Sequence, residues 1–183
     1  MTLSFSQKWP KSLSKHMPRP TTLFPFKVLK SLEEEYPEAM HAFKMRTFFS
    51  YDRFEGFYSG IMQSVYPKLH TIREDKGDNW KAGRDIHFVI NNRSKNRYQF
   101  APVITAVSIQ KIEIKYIPLS KPLGEMRPFV KIDDKLIFGI DGYDDGRMTE
   151  LAINDGFDSK EDFFAWFNAD FIGKIIHWTN LKY

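Results

Sequence analysis

A chain of 183 residues, 42% hydrophobic and 16% aromatic, has enough apolar material for a packed core, which excludes disorder throughout. The formal charge of +4, from 27 basic and 23 acidic residues, is a mild basic bias, compatible with nucleic acid but no proof of it. With no Cys, disulfides, thiolate catalysis and Cys-ligated zinc are excluded.

The opening stretch "MTLSFSQKWPKSLSKHMPRP" lacks the apolar centre of a signal peptide. No apolar run approaches the roughly 20 residues that span a bilayer. A soluble, cytoplasmic protein with no membrane partner is expected. In "TLSFS", Leu3 and Phe5 alternate with polar residues, as in a short strand. "KWPKSLSKHMPRP" is a Pro-rich, cationic loop. The spacing Phe26, Leu29, Leu32 predicts a helix from Leu23 to Leu32. In the following stretch Met40, Phe43 and Phe48 suit a helix, and Gly56 and Gly60 suit a break.

Ile86, Phe88 and Ile90 alternate with Asp85, His87 and Asn91, the pattern of a half-buried strand. "NNRSKNRY" reads as a basic hairpin loop. Phe100 to Tyr116 reads as one long strand. Val103, Thr105, Val107 and Ile109 share one parity and Ile112, Ile114 and Tyr116 the other, with a slip at Gln110-Lys111. "FVKIDDKLIFG" predicts a hairpin turning at Asp133-Asp134. "TELAINDGF" predicts a short helix capped by Thr149 and ended by Gly156. "DSKEDFFAWFN" predicts another, with Asp158 as cap, Glu161 three residues on, and Phe163, Trp166 and Phe167 as its buried stripe. "GKIIHWTNL" closes as a strand.

The early "LSFS" strand, the segments "KLHTIRED" and "WKAGRDIHF", and the closing "LAINDGFDSKEDFFAWF" and "GKIIHWTNLKY" occur in one order. In these motifs the chain resembles ASCH domains of the PUA-like superfamily, in a phage and bacterial branch. The resemblance covers residues 2–9, 22–32 and 66–183 and leaves 33–65 as an insertion. It implies an α+β fold, a PUA-like bent β-barrel flanked by short helices, formed by a single domain over 1–183. It also implies a ligand cleft at the KLHTIR motif and RNA or a modified nucleoside as partner. One bacterial subgroup of the family consists of amidohydrolases that deacylate N-acetylated cytidine, using a Lys three residues before a Thr and a distant Glu. Lys68 and Thr71 match the first two positions, whereas Asp155 stands at the third with a shorter side chain.

Placed in a partly dry cleft, Lys68 beside Arg73 would have the lowered pKa that suits a general base. Thr71 would be the nucleophile, Asp155 the acid for the leaving amine, and Arg73 a fork for phosphate or carboxylate. The competing reading makes Thr71 and Arg73 a hydrogen-bonded rim, on the opposite strand face from His70 and Ile72. Trp80 is either a stacking platform for a base or, as favoured here, the anchor of a turn. Gly83 fits the turn into the next strand. Arg93, Lys95 and Arg97 beside Tyr98 form the densest basic cluster, suited to phosphates with a stacked base, or to a solvated hairpin tip.

The histidines at 16, 41, 70, 87 and 177 show no metal spacing; His87 and His177, both on strands, are candidates for a packed pair. "DGYDDG" lacks the calcium-loop pattern. No metal and no cofactor is expected. Three functions compete: an RNA- or nucleotide-binding ASCH protein, a nucleoside amidohydrolase with a ribonuclease as its variant, and an adaptor that meets a protein partner through the Phe-, Tyr- and Met-rich 33–65 segment.

Overall fold

The computed structural model describes residues 1–15, 17, 19–47, 64–118, 126–139 and 146–183. In chain order the elements are β1 (Thr2–Ser4), α1 (Phe24–Glu35), α2 (Pro37–Thr47), β2 (His70–Arg73), β3 (Asp85–Ile90), β4 (Tyr98–Gln99), β5 (Ile104–Thr105), β6 (Ser108–Pro118), β7 (Met126–Ile132), β8 (Lys135–Phe138), α3 (Arg147–Asn154), α4 (Lys160–Trp166) and β9 (Phe171–His177). The fold is mixed, with these helices and two sheets. Each sheet runs as an open path, and no closed barrel is found among the described residues. The chain divides into two interleaved units, Met1–Leu69 with Gly83–Thr105, and His70–Ala82 with Ala106–Tyr183. The predicted positions His16, Phe48, Gly56, Gly60 and most of "DGYDDG" lie outside the described residues.

In the first unit, β1 pairs in parallel with β3, while β4 and β5 pair antiparallel to β3. The alternation in "TLSFS" is used as expected. Leu3 and Phe5 are buried, and Phe5 stacks on Phe88 at 5.9 Å and meets Phe100 edge-on at 5.8 Å. Helix α1 carries Phe26, Val28, Leu29 and Leu32 on its buried side. It ends at Tyr36, in a non-helical conformation (φ −135, ψ 53), because the residue before a proline is pushed out of the helical region. Pro37 then opens α2, a position where its missing N–H costs nothing. Of the 33–65 segment, the end of α1, α2 and residues 64–65 are described.

In the second unit all neighbours are antiparallel, in the order β2-β9-β6-β7-β8. The predicted long strand is two strands. Ile104–Thr105 pairs with β3, and from Ser108 the chain belongs to the other sheet. There is also no parity slip. Ile104, Ala106, Gln110, Ile112 and Ile114 are all buried, while Val103 and Val107 are about 40% exposed (42% and 39%). The buried Gln110 makes this possible. Its amide nitrogen donates to Asp133 Oδ2 (2.9 Å) and to the Tyr183 carbonyl (3.0 Å), and its oxygen accepts from Tyr183 N (3.0 Å).

The β7–β8 hairpin turns at Asp133 and Asp134, both with positive φ (47 and 65), as a tight hairpin turn requires. Two predicted caps move. Helix α3 starts at Gly146 rather than Thr149, and α4 is capped by Ser159, whose hydroxyl accepts from Asp162 N at 3.1 Å, rather than by Asp158. Gly156 (φ 92) does end α3. Its N–H bonds the Ile153 carbonyl and the Phe157 N–H bonds that of Ala152, a Schellman closure. Of the predicted stripe on α4, Phe163 is fully buried and Trp166 and Phe167 are half-buried.

Candidate functional site

Strand β2 is the edge of its sheet, so alternate backbone groups face away from β9. One of them, the Ile72 N–H, donates to Asp155 Oδ1 at 3.1 Å. The Schellman closure sets Asp155 at the end of α3, and the bond spans 83 residues of sequence. Thr71 and Asp155 are 1% and 4% exposed. Arg73 is half-buried; burial holds its guanidinium below its ordinary pKa, and the Asp155 charge opposes that shift. Asp155 therefore reaches the strand that carries Thr71 and Arg73. An N–H donor and a nearby guanidinium both favour an ionised carboxylate.

On the other face of β2, His70 is fully buried. Its Nδ1 lies 3.5 Å from Asp155 Oδ1, a charge-range contact longer than a good hydrogen bond. Its Nε2 lies 2.8 Å from the Tyr183 hydroxyl, which also accepts from Asn154 Nδ2 at 3.0 Å. His177 sits opposite His70 across the β2–β9 ladder, with ring centroids 5.2 Å apart. The partner of His177 is thus His70. His87 contacts Gln99 (Nδ1 to Oε1, 3.4 Å) in the first unit. Burial first, then His70 and Lys182, push His177 down to about 3 against the pull of Asp155. Neither of its ring nitrogens has a hydrogen-bond partner among the described residues.

Lys68 belongs to the first unit and is 2% exposed. Its N–H donates to the Lys27 carbonyl at 2.9 Å, and its ammonium lies 5.1 Å from the Phe24 ring centroid. Lys27, on α1, is equally buried.

Trp80 is 5% exposed, so its ring sits in the core rather than facing outward to a base. It anchors the 75–82 turn. Asp75 accepts from Asn79 N (2.9 Å) and Trp80 N (2.8 Å), and Lys174 bridges Asp75 (3.0 Å), Asp78 and the Trp80 carbonyl (2.9 Å). Burial would raise Asp75, but these donors outweigh it and bring it to about 2. A cavity of about 770 Å³ opens beside this turn, between Lys111, Phe171 and Ile172. Gly83 (φ 81) makes the predicted turn into β3.

The basic loop is a separate feature of the first unit. Residues 91–97 are exposed, with Asn91 and Arg93 at positive φ (51 and 66). Lys95, Arg97 and the half-buried Tyr98 line a cavity of about 290 Å³ with Asn91 and Asn96; Arg93 is not among its lining residues.

The structure thus joins Asp155 to the strand of Thr71 and Arg73, and gathers Lys95, Arg97 and Tyr98 round one cavity. Sequence reasoning missed His70, Asn154 and Tyr183 as parts of the site, and paired His177 with His87 instead of His70. The signal for the two histidines was polar residues at the buried parity of two strands; Tyr183 and Asn154 gave none. Among the described residues, no group of three or more His, Asp or Glu is arranged to hold a metal, and no helix is long and apolar enough to cross a membrane. Comparisons with protein-family models, curated proteins and solved structures find no match.

Proposed function

We propose that the chain binds single-stranded RNA or its nucleotides, as a cytoplasmic, ASCH-like domain with the PUA-like bent barrel its motifs imply. The observation that carries this is the exposed loop 91–97, where Lys95, Arg97 and Tyr98 surround a polar cavity. Exposed cations round a cavity suit phosphates, and a half-buried Tyr beside them suits a stacked base. In the other unit Arg73, on the strand that Asp155 holds, is a further cation suited to phosphate. The test is anisotropy of a short labelled single-stranded RNA against salt. The triple change Arg93→Ala, Lys95→Ala, Arg97→Ala is expected to lower the log–log salt slope by about 2, roughly 0.7 for each phosphate lost from a single strand. Absence of binding by the wild type at about 50 mM salt sinks the reading.

One observation favours a second reading, deacylation of an N-acetylated cytidine: Asp155 docks on the N–H of Ile72, next to Thr71. Thr71 Oγ would take the acyl group, and the hydroxyl proton it gives up would leave with the departing cytidine amine. Water would then free the acyl group as acetate. Thr71→Ala is expected to lower the release of cytidine by at least about 100-fold while the fold persists. A wild type inert on a panel of acylated nucleosides excludes it.

A further inference from the structure

We propose that His70 is a positioning residue of this site: in its Nδ1–H tautomer it holds the Asp155 carboxylate and, through it, Arg73. The tautomer follows from counting protons. Tyr183 has one hydroxyl proton and two lone pairs. One lone pair accepts from Asn154 Nδ2, and the same oxygen stands 2.8 Å from His70 Nε2. Burial keeps the Tyr183 phenol protonated, above its ordinary range. If Nε2 carried the only ring proton, a bare Nδ1 lone pair would face the Asp155 carboxylate at 3.5 Å. If both nitrogens carried protons, a buried cation would sit 5.2 Å from the His177 ring. With the proton on Nδ1, Tyr183 donates to Nε2 and Nδ1–H points at Asp155.

The groups facing His70 include His177 on β9, Asp155 at the end of α3, and Tyr183, whose hydroxyl also meets Asn154. Asp155 Oδ1 accepts from the Ile72 N–H, and His70 Nδ1 stands 3.5 Å from the same oxygen. The Asp155 charge also acts on the Arg73 guanidinium, opposing the downward shift that burial causes.

The effect on affinity rests on the RNA-binding reading; the tautomer does not. Two isosteres separate the two ring nitrogens. His70→Asn keeps a donor near the Nδ1 position and loses the contact with Tyr183. His70→Gln keeps an amide near the Nε2 position and leaves Asp155 without that donor. Affinity for the labelled single-stranded RNA is expected to stay within about threefold in the Asn variant and to fall about tenfold or more in the Gln variant, the usual effect of a lost hydrogen bond to a charged group. A side chain that only fills space would make the two alike, and equal weakening overturns the proposal. Side-chain ¹⁵N–¹H correlation spectra of the wild type give the second readout and need no variant. A protonated Nδ1 is expected on His70, with Nε2 shifting in Tyr183→Phe; a protonated Nε2 alone overturns the proposal. If the wild type binds no RNA, the nucleic-acid reading falls and the spectrum decides for His70 by itself.

Discussion

Acidification from about pH 7 to about pH 4 is expected to cost this protein on the order of 3 kcal/mol through His177 alone, and His177→Phe to remove that share. His177 is fully buried, its ring nitrogens have no hydrogen-bond partner among the described residues, and His70, Tyr183 and Lys182 surround it. In the folded chain it accepts a proton only near about 3, whereas in the unfolded chain it does so at about 6.5. Between those values the unfolded state binds a proton that the folded state does not. The stabilising share is therefore complete above about 6.5, and falls by roughly 1.4 kcal/mol per pH unit on the way down. Asp75, held at about 2, acts in a separate window below its ordinary carboxylate value. Urea unfolding midpoints stepped through this range measure the effect. The Phe variant should flatten the upper part of the profile and leave the acid end in place. Parallel profiles for variant and wild type would remove His177 from the account.

What the sequence made legible was hydrophobic alternation and turn chemistry. Leu3 and Phe5, Ile86 and Phe88, and the Asp133-Asp134 turn obey rules that involve only near neighbours. Misreadings arose where distant residues set the local choice. Val103 and Val107 looked like core and are exposed, because Ala106 and Gln110 hold the buried parity. Gln110 is tolerated there only because Asp133 and Tyr183, 23 and 73 residues away, satisfy its amide. The caps of α3 and α4 moved for a milder reason. Gly146 and Ser159 stand one to three residues from Thr149 and Asp158, and several capping side chains in a row leave the choice to packing. At the site, Lys68, Thr71 and Asp155 were visible because they sit in recognisable motifs. His70 was assigned to the bland face of its strand, since its partners Asn154, Asp155 and Tyr183 all come from the far end of the chain.

Asp155→Ala is expected to be the most damaging single change at the site, at roughly 1–3 kcal/mol, the cost of leaving buried hydrogen-bonding groups without a partner. The carboxylate is 4% exposed; it accepts from one backbone N–H and places its charge near the His70 ring and the Arg73 guanidinium. Its removal leaves the Ile72 N–H without its acceptor, the His70 ring without the charge it faces, and the partly buried Arg73 guanidinium without the anion that offsets its desolvation. Asp155→Asn divides these losses. An amide oxygen still accepts from Ile72 N, so the edge of β2 stays attached, but the charge opposite Arg73 and His70 is gone. About half of the alanine penalty is expected, since the lost charge and the lost acceptor are separable contributions. Ala at exposed Arg93 gives the baseline, within about 0.5 kcal/mol of wild type. Unfolding free energies of the three variants, measured with m-values to exclude a changed unfolded state, test the order. If the two Asp155 variants lie within about 1 kcal/mol of the Arg93 baseline, the carboxylate is not what holds β2 to α3, and the positioning role of His70 loses its intermediary.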